Sequence, residues 1–260
     1  LCSRLLDVEA TDEAERLADE LLALARQHLG TQHPSVADAL VVLAIVESSR
    51  SHFQAAVDLN AQARSMYDEA FGQLNLRSAV AINNQARALV QLKELTRAEL
   101  QYREALSIRA ELQGQEHPET LNVRFNVANM LLRRERYSEA LVELQHLIAV
   151  KIAAVGSEHP WLSRVFLSEA YALGKLKRLR EARISFDKAF KLAEKGGRVS
   201  RALMPMILQD EAEILVELGR TSEARRCLTR ALKIAEEDHA PQATVVQLQQ
   251  ALAKIKLLSD

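Results

Sequence analysis

Apolar and polar residues follow one another along this chain at the spacings of amphipathic helices. Near the C-terminus, five apolar residues spaced three or four apart fall on one face of a helix over about residues 243–258. They are Val245, Leu248, Leu252, Ile255 and Leu258. The longest uninterrupted apolar run, residues 39–46, is far shorter than the roughly 20 residues that a membrane-spanning helix needs. The pattern therefore predicts short helices that pack together in a soluble protein.

Small residues return along the chain with a constant period of 42 residues. One position is alanine in six consecutive units, namely Ala14, Ala56, Ala98, Ala140, Ala182 and Ala224. A second alanine column lies twelve residues earlier, at Ala44, Ala86, Ala128, Ala170 and Ala212. A third column lies seven residues later, at Ala63, Ala105, Ala189 and Ala231, with Leu21 and Leu147 in the two remaining units. A fixed period of this length is typical of repeat proteins.

Glycine and proline mark the boundaries between helices. Glycine recurs at positions 30, 72, 114 and 156, and three of these residues precede a His-Pro pair, at 33–34, 117–118 and 159–160. Glycine is favoured just after a helix and proline in the first turn of the next one, so each interval is a predicted loop. Two helices fit between loops, for example over about residues 35–49 and 53–70. Alanine at fixed positions would let these helices approach closely.

The repeated motif resembles a known family. Asn126-Val127-Ala128 is followed by Tyr137-Ser138-Glu139-Ala140, a pattern similar to tetratricopeptide repeats. The 42-residue length and the Gly-x-x-His-Pro loop resemble the kinesin light chain variety in particular. The resemblance covers nearly the whole chain and implies an all-α, right-handed superhelical solenoid of helix-turn-helix repeats with a C-terminal capping helix. It says little about function, because such repeats occur in scaffolds, transport adaptors, regulators and the sensor halves of kinases.

The period predicts one array over residues 1–260. Its parts are a partial first repeat at 1–30, repeats at 31–72, 73–114, 115–156, 157–198 and 199–240, and the capping helix at 241–260. Residues 1–8 are predicted to form the tail of a first helix, which suggests a fragment of a longer protein. In the sixth unit Lys195-Gly196-Gly197 replaces the loop, and Pro205 predicts a first helix that starts late or kinks.

The lack of recognisable catalytic motifs favours a binding module over an enzyme. The sequence has no metal-binding Cys/His cluster, phosphate-cradling glycine loop or nucleophile motif, so neither catalysis nor a cofactor is predicted. The three His-Pro histidines lie one repeat apart, too far to share a zinc ion, and are expected to have a structural role in the loops. Cys2 and Cys227 are too distant in a repeat array to suggest a disulfide framework, which favours a cytoplasmic location.

The inner face of each predicted first helix carries residues that differ between units. Offsets of −6, −2, +1 and +5 from the second alanine column fall on one helical face. In units two to six this face carries Asp38, Val42, Ile45, Ser49; Val80, Asn84, Arg87, Gln91; Asn122, Asn126, Asn129, Arg133; Arg164, Ser168, Tyr171, Lys175; and Met206, Asp210, Glu213, Glu217. Three asparagines on one stripe of one helix are notable because asparagine is a mediocre helix former.

An asparagine amide both donates and accepts hydrogen bonds, so it can hold the backbone of an extended peptide. The family resemblance implies such peptide contacts for Asn84, Asn126, Asn129 and Arg133. The full set of predicted peptide-binding residues is Asn83, Asn84, Arg87, Asn122, Asn126, Asn129, Arg133, Arg164, Ser168 and Lys175. The alternative is that a face open to water is simply polar.

Charge is distributed unevenly along the chain. Residues 71–200 have a net charge of +7, whereas residues 1–70 have −7. The first hypothesis is therefore a scaffold whose groove binds an extended, acidic polypeptide segment. The second is a sensor or docking region of a larger signalling enzyme, such as a bacterial Ser/Thr kinase. Nucleic-acid binding ranks lower because the inner stripe and its flank have only two aromatic residues, Tyr171 and Phe125, and the pI is about 6.7. Neither nucleic acid nor membrane is a predicted partner.

Overall fold

The computed structural model describes residues 8–197 and 201–257, and within these ranges the ordered elements are helices. Their bounds are α1 (Val8–Leu29), α2 (Pro34–Ser49), α3 (Phe53–Phe71), α4 (Leu76–Gln91), α5 (Leu95–Gln113), α6 (Pro118–Arg133), α7 (Tyr137–Val155), α8 (Leu162–Lys175), α9 (Leu179–Lys195), α10 (Met204–Glu217), α11 (Thr221–Glu237) and α12 (Gln242–Leu257). The prediction of an all-α fold is confirmed.

The helices belong to two compact units. The first unit, Leu1–Arg134, contains α1 to α6, and the second, Glu135–Asp260, contains α7 to α12. In each unit consecutive helices pack against each other along the chain. The first helices of neighbouring repeats also touch, α2 against α4 in the first unit and α8 against α10 in the second. A single array over residues 1–260 stays a prediction.

The alanine columns lie in the core, as their predicted packing role requires. In the column from Ala56 to Ala224 every alanine is at most 2% exposed, and Ala86, Ala128 and Ala170 of the second column are fully buried. The exceptions lie in α1, where Leu21 is 44% exposed and Ala14 is half-buried. Among the described residues, α1 has no first helix of its own repeat to cover that face.

The loop histidines cap helices. The Nδ1 atoms of His33 and His117 accept hydrogen bonds at 3.2 Å from the backbone N–H groups of Ser35 and Glu119, in front of α2 and α6. Each cap satisfies one of the N–H groups that a helix start leaves without a partner. His159 makes the same contact with the N–H of Trp161, although α8 begins only at Leu162. The predicted structural role of these histidines is confirmed.

The turn between the two helices of a repeat has the same backbone geometry in five repeats. Ser51, Lys93, Glu135 and Lys177 adopt left-handed backbone conformations, with φ between 59° and 66°, and Gly219 occupies the equivalent position with φ 73°. These residues stand one period apart in sequence. A left-handed conformation is strained for residues that carry a Cβ atom, so four of the five turns contain some backbone strain.

The ends of the chain depart from the regular pattern. Pro205 is the second residue of α10, so this helix starts late, as predicted. The capping helix α12 begins one residue before its predicted start, and it buries Leu248 and Ile255. Leu258 lies outside the described residues. So do residues 1–7 of the predicted helix tail, whereas Val8 is already the first residue of α1.

No helix of the described part combines the length and apolar character that crossing a membrane would need.

Candidate functional site

The predicted stripe is at least partly exposed to solvent in both units. In α4 the buried residues occupy the opposite side, which leaves the stripe positions at least partly open to solvent. The same holds for α2 and α6. We call the exposed stripe of α2, α4 and α6 the first-unit face, comprising Asp38, Val42, Ile45, Ser49, Val80, Asn83, Asn84, Arg87, Gln91, Asn122, Asn126, Asn129 and Arg133. The second-unit face comprises Arg164, Ser168, Tyr171 and Lys175 of α8 and Met206, Asp210, Glu213 and Glu217 of α10.

A hydrogen bond between two amides joins α4 to α6. The Nδ2 group of Asn126 donates to Oδ1 of Asn83 at 2.9 Å. This bond uses one donor of Asn126 and one acceptor of Asn83, and each amide keeps further hydrogen-bonding capacity. Both side chains are partly exposed. The structure therefore brings together two predicted residues from neighbouring first helices.

A cavity of about 220 Å³ opens on the first-unit face. Its apolar wall comes from Ile45 and Phe53, and its polar wall from Asn84, Arg87 and Gln91. Asn84 makes no side-chain hydrogen bond to the described residues, so its amide is available in the cavity wall. The cavity combines an apolar surface with hydrogen-bond donors and acceptors.

Two arginines of the first-unit face act electrostatically on a buried tyrosine. Tyr102 of α5 is 5% exposed, and burial raises the pKa of its phenol to about 12. The positive charges of Arg87 and Arg133 act on this phenol in the opposite direction, lowering its pKa. Both arginine side chains are exposed, and among the described residues neither forms an ion pair or a side-chain hydrogen bond. Two guanidinium groups that have no ionic partner among the described residues thus act on one phenol.

Two other polar residues of this face are engaged within the protein. The carboxylate of Asp38 accepts a hydrogen bond from the Tyr67 hydroxyl at 2.7 Å and pairs with Arg77 at 2.8 Å. Asn122 is exposed and donates to Oε1 of Glu119 at 3.4 Å. The positions available to a ligand are therefore concentrated on α4 and the C-terminal half of α6.

Charges on the second-unit face neutralise one another. Lys175 forms an ion pair with Glu217, which also pairs with Lys177 at 3.1 Å. The ammonium group of Lys175 lies 5.3 Å from the ring centroid of Tyr171, which makes an edge contact with Tyr137. Lys175, a predicted peptide-binding residue, therefore already has partners within the protein. Its role in peptide contact stays a prediction, as do those of Arg164 and Ser168.

Asp210 adds a partly buried acidic group to the second-unit face. Burial, and to a lesser extent repulsion from Glu213, raise the pKa of its carboxyl to about 7, while Lys175 opposes the shift. This face carries three carboxylates and only two basic side chains, Arg164 and Lys175. It is not the positively charged wall that an acidic segment would require.

A second cavity lies in the second unit. A cavity of about 310 Å³ beside α9, α10 and α11 is lined by Cys227. Burial and the neighbouring Glu211 raise the pKa of its thiol to about 12, so it remains protonated and is a poor nucleophile at neutral pH. Within the described ranges, no group of three or more His, Cys, Asp or Glu residues is placed to hold a metal ion.

Sequence reasoning missed Tyr102 and Phe53. Tyr102 lies in a second helix, at a position occupied in other units by Asn60, Leu144 and Phe186. All four are buried, so the period identifies a core position. The available signal was that a phenol hydroxyl stands in a mainly apolar column. Phe53 is the first residue of α3 and lines the cavity. Its position there depends on the conformation of the turn between α2 and α3, which helical spacing does not predict.

Two family models match the chain in sequence. A model described as tetratricopeptide repeat matches residues 5–69 and 77–153, and a second matches residues 163–195 and 207–238. No curated protein matches the chain significantly in sequence.

Several solved structures share the fold. BtubC (BKLC) from P. vanneervenii has a TM-score of 0.71 at 16% identity, covering 89% of this chain and 92% of its own. Nearly identical TPR-like repeats of a Podosopora anserina protein described as a kinesin light chain have a TM-score of 0.63 at 21% identity, covering 75% and 93%. YrrB, a TPR protein with an unusual peptide-binding site, has a TM-score of 0.51 at 14% identity, covering 88% and 97%.

The predicted family and solenoid fold are confirmed, and the structural neighbours include kinesin-light-chain-like repeats. Because the family models together match most of its length, the chain belongs to the tetratricopeptide-repeat family.

Proposed function

We propose that the protein is a binding module, not an enzyme, and that the first-unit face holds an extended, acidic segment of another polypeptide. The observation that carries the proposal is the partly exposed amide row of Asn83, Asn84 and Asn126 on two linked helices. YrrB, described as having a peptide-binding site, shares the fold and lends support by analogy alone.

The amides suit an extended backbone. A peptide in this conformation presents N–H and C=O groups that need partners when it leaves water. Side-chain amides supply both donor and acceptor and place no condition on the side chains of the peptide. Asn84 also lies in the wall of the 220 Å³ cavity, where an apolar side chain of the peptide would contact Ile45 and Phe53.

The preference for acidic segments comes from Arg87 and Arg133. Because their guanidinium groups have no carboxylate partner among the described residues, they can pair with an acidic ligand without breaking an existing ion pair. The second-unit face lacks this property, since Lys175 is already paired with Glu217. The acidic segment is therefore expected on the first-unit face.

Selection from a random peptide library on the immobilised protein tests the function. We expect selected peptides to be rich in Asp and Glu and to bind the Asn84→Ala/Asn126→Ala variant about tenfold or more weakly, since each lost hydrogen bond is worth about 1 kcal/mol. Gln54→Ala/Gln62→Ala is the matched control, because it removes two exposed amides of α3. Equal binding to both variants, or no enrichment of any peptide, would overturn the proposal.

A further inference from the structure

Arg87 and Arg133 differ from most arginines of the first unit in having no carboxylate partner among the described residues. Eight others form ion pairs: Arg16 with Glu20, Arg50 with Glu15, Arg64 with Glu104, Arg77 with Asp38, Arg97 with Glu94, Arg109 with Glu119, and both Arg103 and Arg134 with Glu99. Two positive charges that act on the same phenol repel each other, and an anion bound by both would relieve this repulsion. Two exposed guanidinium groups without a carboxylate partner among the described residues thus lie on the same face.

The hydrogen-bond donors that accompany these charges come from three helices. Arg87 comes from α4, Arg133 from the last turn of α6, and the Tyr102 hydroxyl from α5 between them in sequence. The bond between Asn83 and Asn126 holds α4 and α6 side by side. Asn84 and Gln91 accompany Arg87 in the wall of the cavity, adding two amides. The cluster is rich in hydrogen-bond donors and lacks acidic side chains.

We propose that Arg87, Arg133 and Tyr102 form a subsite for a phosphorylated side chain of the bound segment. This inference rests on the proposed peptide-binding function of the same face. A phosphomonoester carries about −1.5 to −2 charges at neutral pH and three acceptor oxygens, which matches two guanidinium forks and a hydroxyl donor. A carboxylate has a single charge and two oxygens, so it would satisfy one arginine and leave the other unpaired.

The tyrosine suits the role of a neutral donor. Because its pKa is raised to about 12, the phenol keeps its proton at neutral pH and can donate it to a phosphate oxygen. Its depth in the core fixes the ring, so the hydroxyl is presented in one place. Arginine is preferred over lysine in such sites because its planar fork binds phosphate with two parallel hydrogen bonds.

Three peptide pools test the subsite. Each pool consists of labelled peptides of about eleven residues with random flanks and a central phosphoserine, glutamate or serine, and binding to the full chain is followed by fluorescence anisotropy. At pH 7.5 and low salt we expect the phosphoserine pool to bind about tenfold more tightly than the glutamate pool. At pH 5 this advantage should shrink, because the second pKa of phosphate is near 6, whereas the glutamate pool should change little.

Variants assign the advantage to the named residues. Arg87→Gln/Arg133→Gln should lower the affinity of the phosphoserine pool to that of the glutamate pool. Arg16→Gln/Arg97→Gln removes the same charge from exposed positions away from the face and should leave the advantage intact. Tyr102→Phe keeps the buried ring, so it should reduce the phosphoserine advantage several-fold and leave the serine pool unaffected. Circular dichroism confirms that each variant is folded.

The outcomes separate this inference from the proposed function. If the pools bind and Asn84→Ala/Asn126→Ala weakens all three, the function stands. In that case equal affinity for phosphoserine and glutamate, or an advantage that survives in Arg87→Gln/Arg133→Gln, overturns the phosphate subsite. If no pool binds, or if the asparagine variant binds every pool like the wild type, both proposals fall.

Discussion

At the scale of single residues, the exposed stripes separate into occupied and available side chains. Lys175, Asp38 and Asn122 are engaged with partners inside the protein, whereas Asn84, Arg87 and Arg133 keep unused donors. The sequence could predict which residues share a face, because helical spacing decides it. It could not predict which of them were available, because that depends on side chains that reach across from other helices.

One of these pairings had a signal in the sequence. Lys175 and Glu217 stand 42 positions apart, so they occupy equivalent places in adjacent repeats. Equivalent positions on neighbouring first helices lie close together, and opposite charges there should pair. The electrostatic effect of Arg87 and Arg133 on Tyr102 has no comparable signal, because it involves different columns and long, flexible side chains.

Asp210 should make stability depend on pH. Its folded-state pKa of about 7 lies above its ordinary value of 3.8, so the folded protein holds this proton more tightly than the unfolded chain. Its contribution to stability is therefore most favourable below about pH 4 and becomes unfavourable as the pH rises through 7. Asp210→Asn should stabilise the protein by about 1 to 3 kcal/mol at pH 8, with the gain fading towards pH 4.

Urea unfolding at pH 8 and at pH 4 measures the effect of Asp210→Asn. Glu213→Gln provides a comparison at an exposed neighbour, where relief of repulsion alone should give a smaller gain. Equal stability of Asp210→Asn and wild type at pH 8 would mean that the carboxylate is well solvated.

At the scale of helices and turns, local sequence signals explain most boundaries. His-Pro at 33–34 and 117–118 marks the starts of α2 and α6, and the glycines at 72 and 114 follow the ends of α3 and α5. The same signal is less accurate at Pro160, where α8 begins two residues later. The short turns inside the repeats were less visible, because four of them carry no glycine at the left-handed position.

That turn position offers a stabilising substitution. Lys93 adopts φ 63°, and its exposed side chain forms no ion pair with the described residues. Lys93→Gly should remove the left-handed strain and stabilise the protein by about 0.5 to 1 kcal/mol, after the entropic cost of glycine is included. Gly219→Ala is the reciprocal change and should destabilise by a similar amount. Chemical denaturation measures both, and a loss of stability in Lys93→Gly would contradict the strain argument.

At the scale of the whole molecule, stability is built from contacts between near neighbours. Helices pack mainly against those beside them in sequence, and the alanine columns set how closely they approach. The period of 42 residues and the family resemblance of its motif were together sufficient to predict the fold, because the units repeat nearly the same small residues. In such arrays a local defect is expected to stay local.

Ala128→Leu tests this locality. Ala128 is fully buried in α6, so the larger side chain should destabilise the protein by about 1 to 3 kcal/mol. Hydrogen exchange should increase in α5 and α6 and change little in α11 and α12. Ala61→Leu, at an exposed position of α3, is the matched control and should have almost no effect. Uniformly faster exchange throughout the chain would show instead that both units unfold together.

The hydrogen bond between Asn83 and Asn126 bears on the entropy of recognition. A side chain that is already held by a neighbour loses little rotational freedom when a ligand arrives, whereas immobilising a free one costs about 0.5 to 1.5 kcal/mol. The two amides are thus oriented before any partner binds. Most of the ordering that accompanies complex formation would then occur in the partner, and a partner already extended in solution would bind with the smallest entropic penalty.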